Sequence, residues 1–205
     1  MRFFVGIDEA GRGALAGPVC VGAVLMPEDF DWEEAYALVT RRGSPKLRDS
    51  KKLNEQQRDT LYEYIVSHGR LKHAAAFADA RTIDAIGIVN AAHEATALAL
   101  VALGVSAEKT EVLLDAGLRA PSKWIQSAHV RGDETIPVIA LASIVAKVSR
   151  DRAMVDLSSR YAPYQFAAHK GYGTLTHRRA ISKIGLSDIH RTSFCGALLK
   201  AAKSV

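Results

Sequence analysis

Two adjacent acids close a short apolar run near the N-terminus, and the residues after them limit the folds open to this chain. In "VGIDEAGRGALAGPV" (Val5–Val19), Asp8 and Glu9 end a strand-like segment. A loop with Gly11, Arg12 and Gly13 comes next, and "PVCVGAVLM" (Pro18–Met26) resumes strand material. Apolar runs of this length bounded by glycines read as buried strands, so the segment predicts a hairpin. Gly11, Gly13 and Ala16 formally fit the glycine pattern of dinucleotide folds, but that motif needs a helix N-terminus after the loop to receive a pyrophosphate. Here strand material comes instead, and two carboxylates beside the loop would repel the ligand. Burying an unpaired charge is very costly, so acids placed at a strand end call for a counter-charge.

The remaining pattern alternates. "DWEEAYALVT" (Asp31–Thr40) reads as a short helix, and Asn54 with Gln57 forms a capping box that opens a helix to about Ser67. "LKHAAAFAD" is strand-like, and Ile88–Leu103 has helical spacing ended by Gly104. "TEVLLDAG" (Thr110–Gly117) is a buried strand finishing on Asp115, and a short strand around Ala128–Val130 leads into "RGDE". A long helix from about Val138 to Ser159 carries Ser143, Lys147, Arg150 and Arg152, and the tail holds two shorter helices separated by "GLSDIHRTSF". A hairpin meander before alternating strands and helices predicts an α/β fold with a central mixed sheet flanked by helices. With 205 residues, 48% of them hydrophobic, the chain is expected to form one domain over 1–205 with a substantial core.

The net charge of +5 favours a polyanionic partner. Cys20 and Cys195 show no metal-ligand spacing and are expected to be buried, reduced thiols of a cytosolic protein. "MRFFVGID" has too few apolar residues for a secretory signal, and the stretch Ile136–Val148, interrupted by Ser143 and Lys147, is too short to span a bilayer. The expectation is a soluble, cytoplasmic monomer with no membrane partner.

The acids carry the chemistry. Asp8 and Asp115 each stand at the C-terminal end of a predicted strand, where open α/β sheets form their ligand crevice. Glu9 adjoins Asp8, and Asp133 precedes the long helix. Singly, each serves equally well as a cap or turn residue. Converging at one sheet edge, the four would repel each other without a cation, and hard oxygen ligands suit Mg²⁺ or Mn²⁺. Two such ions about 4 Å apart can activate a water and stabilise the leaving oxygen in phosphodiester hydrolysis. The loop glycines leave backbone groups open to a sugar hydroxyl, and Arg12 can pair with a phosphate. A ribose 2′-hydroxyl is the feature that separates RNA from DNA.

"GIDEAGRGALAGPV", "DSKKL" (Asp49–Leu53), "LLDAG", "RGDETIPVIALASIVAKVSRD" and "HKGYGT" (His169–Thr174) occur in that order, and together they resemble ribonuclease HII, the type 2 ribonuclease H family. The resemblance runs from about Phe4 to Phe194. It implies an RNase H-like fold with a helical C-terminal part, from about residue 160, that binds substrate. It implies endonucleolytic cleavage of RNA–DNA hybrids and of single ribonucleotides embedded in duplex DNA, 5′ of the ribonucleotide, leaving a 3′-hydroxyl and a 5′-phosphate. It also implies two divalent ions, Mn²⁺ or Mg²⁺, held by Asp8, Glu9, Asp115 and Asp133.

On the same resemblance, Gly11, Arg12 and Gly13 contact the 2′-hydroxyl, and Tyr172 stacks on the sugar of the next, deoxy, nucleotide. Ser50, Lys51, Ser143, Lys147 and Lys170 lie near backbone phosphates, and His169 organises its loop. Read without it, Tyr172 is an ordinary core or surface aromatic, "DSKKL" a solvated turn, and Arg150 with Asp151 an ion pair. Ala14, Gly173, Gly87 and the alanine of "DAG" depart from common family residues, and none of them removes a proposed ligand. The competing expectations are a ribonuclease HIII or general hybrid nuclease, opposed by Arg12 in the glycine loop, and a non-catalytic hybrid binder, opposed by four acids facing phosphates.

Overall fold

The computed structural model describes residues 2–39 and 53–202. Five strands, β1 (Phe3–Ala10), β2 (Val19–Pro27), β3 (Lys72–Ala78), β4 (Thr110–Asp115) and β5 (Ile125–His129), form one sheet in the order β3-β2-β1-β4-β5. The first three pair antiparallel, while β1–β4 and β4–β5 are parallel, so the sheet is mixed as expected. The helices are α1 (Trp32–Ala37), α2 (Glu55–Ser67), α3 (Ala80–Leu103), α4 (Gly132–Thr135), α5 (Pro137–Arg160), α6 (Phe166–His169), α7 (Leu175–Ile184) and α8 (Thr192–Ala202). The Asn54–Gln57 capping box is present, with both reciprocal bonds at 2.9 Å.

Three predicted boundaries moved. β1 extends through Asp8 and Glu9 to Ala10, because β2 continues to pair with them. β5 starts three residues earlier than its sequence pattern suggests, since β4 supplies hydrogen-bond partners from Glu111 onward. α3 starts at Ala80, capped by Asp79, and breaks at Gly87, whose φ of 81° and ψ of 155° lie in a region that glycine alone visits readily. Among the described residues α3 is long and apolar enough to cross a membrane. Its composition has a local reason, since Ala91, Ala92, Ala95 and Ala99 form a fully buried small-residue face in the core cluster that holds β2 and β3.

The opposite face of the sheet is covered by α5, and the contact is backbone against backbone. A Cβ on Gly6 of β1 would lie 2.1 Å from the Val138 carbonyl oxygen, and one on Gly22 of β2 would lie 2.3 Å from that of Ala142. Both strands therefore need glycine under the helix. The close approach brings Ser143 and Lys147 over the strand ends where the acids stand. Arg152 of α5 then reaches Asp59 and Glu63 of α2, each at 3.1 Å.

A third apolar cluster lies beyond the sheet around Met154, Tyr161, Tyr164, Phe166 and Ile181. Three buried histidines, His169, His177 and His190, pack among its rings. The Asp84 carboxylate of α3 accepts bonds from the Thr192 and Ser193 amides at 2.8 and 3.0 Å and from both hydroxyls, fixing the first turn of α8. Cys20 and Cys195 are buried free thiols.

Gly22→Ala is expected to lower unfolding free energy by about 3 kcal/mol through overpacking under α5, whereas Gly69→Ala, with nothing within 4 Å, serves as a near-neutral control in denaturant titration. Burial holds His177 below its ordinary value and His190 down at about 4, so between pH 6.5 and 4 these two rings bind more protons in the unfolded chain than in the folded one. That contribution to stability should therefore fall by on the order of 2 kcal/mol as pH drops through the window, read as the narrowing difference in urea midpoint between the wild type and a variant with both His177→Phe and His190→Phe.

Candidate active site

Strand β1 alternates its side chains across the sheet, which sends Asp8 to the side covered by α5 and leaves Glu9 beside the glycine loop. Asp115 ends β4, the parallel neighbour of β1. Single oxygens of Asp8, Glu9 and Asp115 all lie within 4.8 Å of one another. Two unit charges about 5 Å apart repel by about 3 kcal/mol at an effective dielectric near 20. Burial, then Glu9, then Asp115 push the Asp8 carboxyl well above the usual carboxylate range, against hydrogen bonds from the Glu9 amide at 2.8 Å and from the Ser143 hydroxyl. Glu9 is also raised, chiefly by burial, and Arg12 opposes the shift through a 2.8 Å pair with its Oε1. The other oxygen, Oε2, is buried with no hydrogen-bond partner among the described residues.

Asp133 lies outside that group of three, yet it is fixed close by. The Asp115 Oδ1 accepts the Gly132 amide at 2.8 Å, joining the end of β4 to the first turn of α4, where Asp133 is 3% exposed. The expected convergence of four acids thus resolves into a tight trio and a buried fourth on an element bonded to one member. An all-oxygen donor set, crowded and partly buried, fits a hard divalent ion.

Beside the acids runs a groove of about 380 Å³ lined by Glu9, Gly11, Arg12, Gly13, Arg58, Ser143, Lys147 and Tyr172. The sequence-derived set Gly11–Gly13, Ser143, Lys147 and Tyr172 is therefore brought together with Glu9. Lys147 pairs with Asp151 at 2.8 Å and has its ammonium 5.8 Å from the Tyr172 ring centre. Lys170 sits two residues from Tyr172 and turns its ammonium onto the Ala167 carbonyl, so it does not line the groove. Ser50 and Lys51 lie outside the described residues.

Arg150 and Asp151 are not an ion pair. Arg150 is fully buried and donates to the Pro18 and Ala16 carbonyls at 2.9 and 3.3 Å, while Asp151 takes Lys147. Arg191, also fully buried, donates to the Gly17 and Arg12 carbonyls at 3.0 and 2.9 Å. Two guanidinium groups thus hold the loop 12–18 by its carbonyls, and Arg191 is lowered to about 10 by burial and by Arg150, still cationic at neutral pH. Gly11, with φ 90°, passes against Arg150, and a Cβ there would sit 1.8 Å from Nε. Sequence reasoning missed Arg58 and Arg191, because a lone basic residue in a polar helix or tail carries no signal of inward direction.

A mixed five-stranded sheet bearing an acid cluster at adjacent strand ends is the frame of a ribonuclease H-like hydrolase. The chain belongs to the ribonuclease HII family, whose model matches residues 5–197, and it is a ribonuclease H. Ribonuclease HII of Caldicellulosiruptor bescii is 41% identical over 199 residues, covering 97% of this chain and 89% of that protein. Ribonuclease HII of Coxiella burnetii is 40% identical over 189 residues, 92% of this chain and 86% of that protein.

Among solved structures, ribonuclease H2 from Pyrococcus horikoshii has the same fold with a TM-score of 0.75 at 20% identity, covering 99% of this chain and 100% of that one. Bst-RNase HIII in complex with Mn²⁺ aligns with a TM-score of 0.72 at 18% identity, covering 100% of this chain and 71% of that one. The RNase HII of the PCNA:RNase HII complex from Archaeoglobus fulgidus aligns with a TM-score of 0.71 at 22% identity over 94% of each chain.

With carboxylate repulsion relieved, the fold should tighten. In metal-free buffer at pH 8, Asp8→Asn is expected to raise unfolding free energy by about 1 kcal/mol, or roughly 2–4 °C in Tm. Millimolar Mn²⁺ should raise the Tm of the wild type and have a much smaller effect on the variant, as followed by differential scanning calorimetry.

Proposed function

We propose that this ribonuclease H hydrolyses the phosphodiester on the 5′ side of a ribonucleotide, both in RNA–DNA hybrids and at single ribonucleotides embedded in duplex DNA, leaving 3′-hydroxyl and 5′-phosphate ends. The observation that carries the reading is a groove in which Glu9, one member of the carboxylate trio, meets a backbone-exposing glycine loop and the Tyr172 ring. Acids alone would serve any phosphodiesterase. A loop able to bond a 2′-hydroxyl beside a ring able to meet the neighbouring sugar selects a ribose followed by a deoxyribose.

Asp8, Glu9, Asp115 and Asp133 would hold two divalent ions, Mn²⁺ or Mg²⁺, which supply the Lewis acidity that activates water and neutralises the departing 3′-oxygen. The complex of Bst-RNase HIII with Mn²⁺ supports the choice of ion by kinship of fold. The chain's own residues do the rest. Gly11, Arg12 and Gly13 bind the 2′-hydroxyl side of the junction, with Arg191 holding the Arg12 carbonyl and Arg150 the far end of the loop at Pro18. Ser143 and Lys147 on α5, with Lys51 and Ser50 from the segment before α2, take backbone phosphates and fix register without reading sequence. Lys170 contributes charge near the same strand. All of these groups come from one chain, so the reading needs no second subunit. Such an activity suits removal of ribonucleotides from DNA during replication and repair.

The test is cleavage of an end-labelled duplex carrying one ribonucleotide, in Mg²⁺ and in Mn²⁺. Cutting is expected on the 5′ side only, and Asp8→Asn should slow it by about a thousandfold or more. Unchanged cutting by that variant, or products with a 3′-phosphate, would overturn the assignment. Tyr172→Ala should lose preference for the single-ribonucleotide duplex over a long hybrid while still cutting both.

A further inference from the structure

We propose that His177 and His190 are positioning residues for Tyr172, joined in a one-way hydrogen-bond chain that starts at the Ser187 amide and ends on the Tyr172 carbonyl. The inference rests on the reading of Tyr172 as the ring that meets the substrate.

The direction of the chain is forced. A backbone amide can only donate, and the Ser187 amide nitrogen lies 2.9 Å from His190 Nδ1. That ring nitrogen must therefore present its lone pair, and a neutral His190 carries its proton on Nε2. His190 Nε2 lies 3.1 Å from His177 Nε2, which accepts. The proton of His177 is left on Nδ1, 2.9 Å from the Tyr172 carbonyl oxygen. This is the less common tautomer of a free imidazole. The Ser187 hydroxyl, 2.8 Å from His190 Nδ1, can strengthen the first link. A second proton on either ring would set two donors face to face, so the chain exists only with both rings neutral.

His169 follows the same logic beside them. Its Nδ1 accepts the Gly171 amide at 3.3 Å, its Nε2 donates to the Tyr164 carbonyl at 2.7 Å, and its ring stacks on His177 at 4.5 Å. All six nitrogens of the three buried rings thus have a partner. Phenylalanines would fill the cluster without needing any, so the polar chain points to a role beyond filling space.

The far end of the chain shows that role. Tyr172 follows Lys170 and Gly171, both at positive φ, 52° and 83°. For a lysine this is a sparsely populated state that persists only where the surroundings determine it. The Tyr172 carbonyl takes the Thr174 amide at 2.8 Å as well as His177. The near end leads to the glycine loop. His190 precedes Arg191, whose amide donates to the Leu15 carbonyl at 2.8 Å and whose side chain holds the Arg12 carbonyl. The chain therefore sets Tyr172 in register with the loop that would bind the ribose, and so sets the spacing at which two adjoining sugars are told apart.

The test has two arms on the full chain. Long-range ¹H–¹⁵N spectra of ¹⁵N-histidine protein at neutral pH should show His177 protonated on Nδ1 and His190 on Nε2. A His177 protonated on Nε2 overturns the proposal outright. In the kinetic arm, His177→Phe keeps the stacked ring but removes the donor, and should raise KM for the single-ribonucleotide duplex about tenfold with little change in kcat. His177→Asn, whose amide can still donate to the Tyr172 carbonyl, should restore most of that loss. In a Tyr172→Ala background, His177→Phe should add nothing. An equal loss in both backgrounds means that His177 does not act through Tyr172, and the proposal fails. If Tyr172→Ala alone leaves KM untouched, the stacking reading fails and takes the proposal with it, and that outcome is recognisable whatever the spectra show.

Discussion

The structure depends on the seating of α5 on the two strands beneath it. Helix and sheet usually stand apart by the length of their side chains, but here Gly6 and Gly22 let the helix backbone press directly on β1 and β2. Since β1 also carries Asp8 and Glu9, the packing places Ser143 and Lys147 within reach of the acids. Any widening of that contact would separate the acids from Ser143 and Lys147. The core and the site are therefore one construction, and the glycines that weaken the strands as isolated elements are what permit it.

Charge is arranged in two opposed layers. On one side stand Asp8, Glu9 and Asp115, close enough that desolvation and mutual repulsion raise Asp8 and Glu9 toward their protonated forms. On the other stand Arg150 and Arg191, fully buried and bonded only to carbonyls of the glycine loop among the described residues. Neither layer neutralises the other by direct pairing. The acids remain available to cations, and the loop between the layers gains rigidity from donors that cannot lose their protons at neutral pH. Of the three arginines at the glycine loop, Arg12 alone pairs with an acid, Glu9, at the rim of the groove.

The C-terminal region does by hydrogen bonding what the sheet does by packing. Residues 165–177 include several left-handed positions, and buried histidines hold the segment through specific nitrogen atoms. Asp84 fixes the start of α8, and the segment 189–191 carries that order to the glycine loop through the Gly17 amide and the Leu15 carbonyl. The glycine loop and the Tyr172 segment, distant in sequence, are thereby tied to a common strut.

Much of this was legible in the chain itself, because it depends on near neighbours. The hairpin followed from glycines between two apolar runs, the α2 start from Asn54 and Gln57, and the candidate ligands from acids at strand ends. His169 as a loop organiser was expected on family resemblance, and its bonds to Tyr164 and Gly171 fit that role. Tertiary structure alone decided the rest. The break at Gly87 and the earlier start of β5 depend on what lies alongside. The inward direction of Arg150 and Arg191, and the meeting of His177 with His190, depend on partners more than ten residues away. Periodicity reports which face of an element is apolar, but the fate of a buried charge or proton is set by whichever donor or acceptor the fold carries to it.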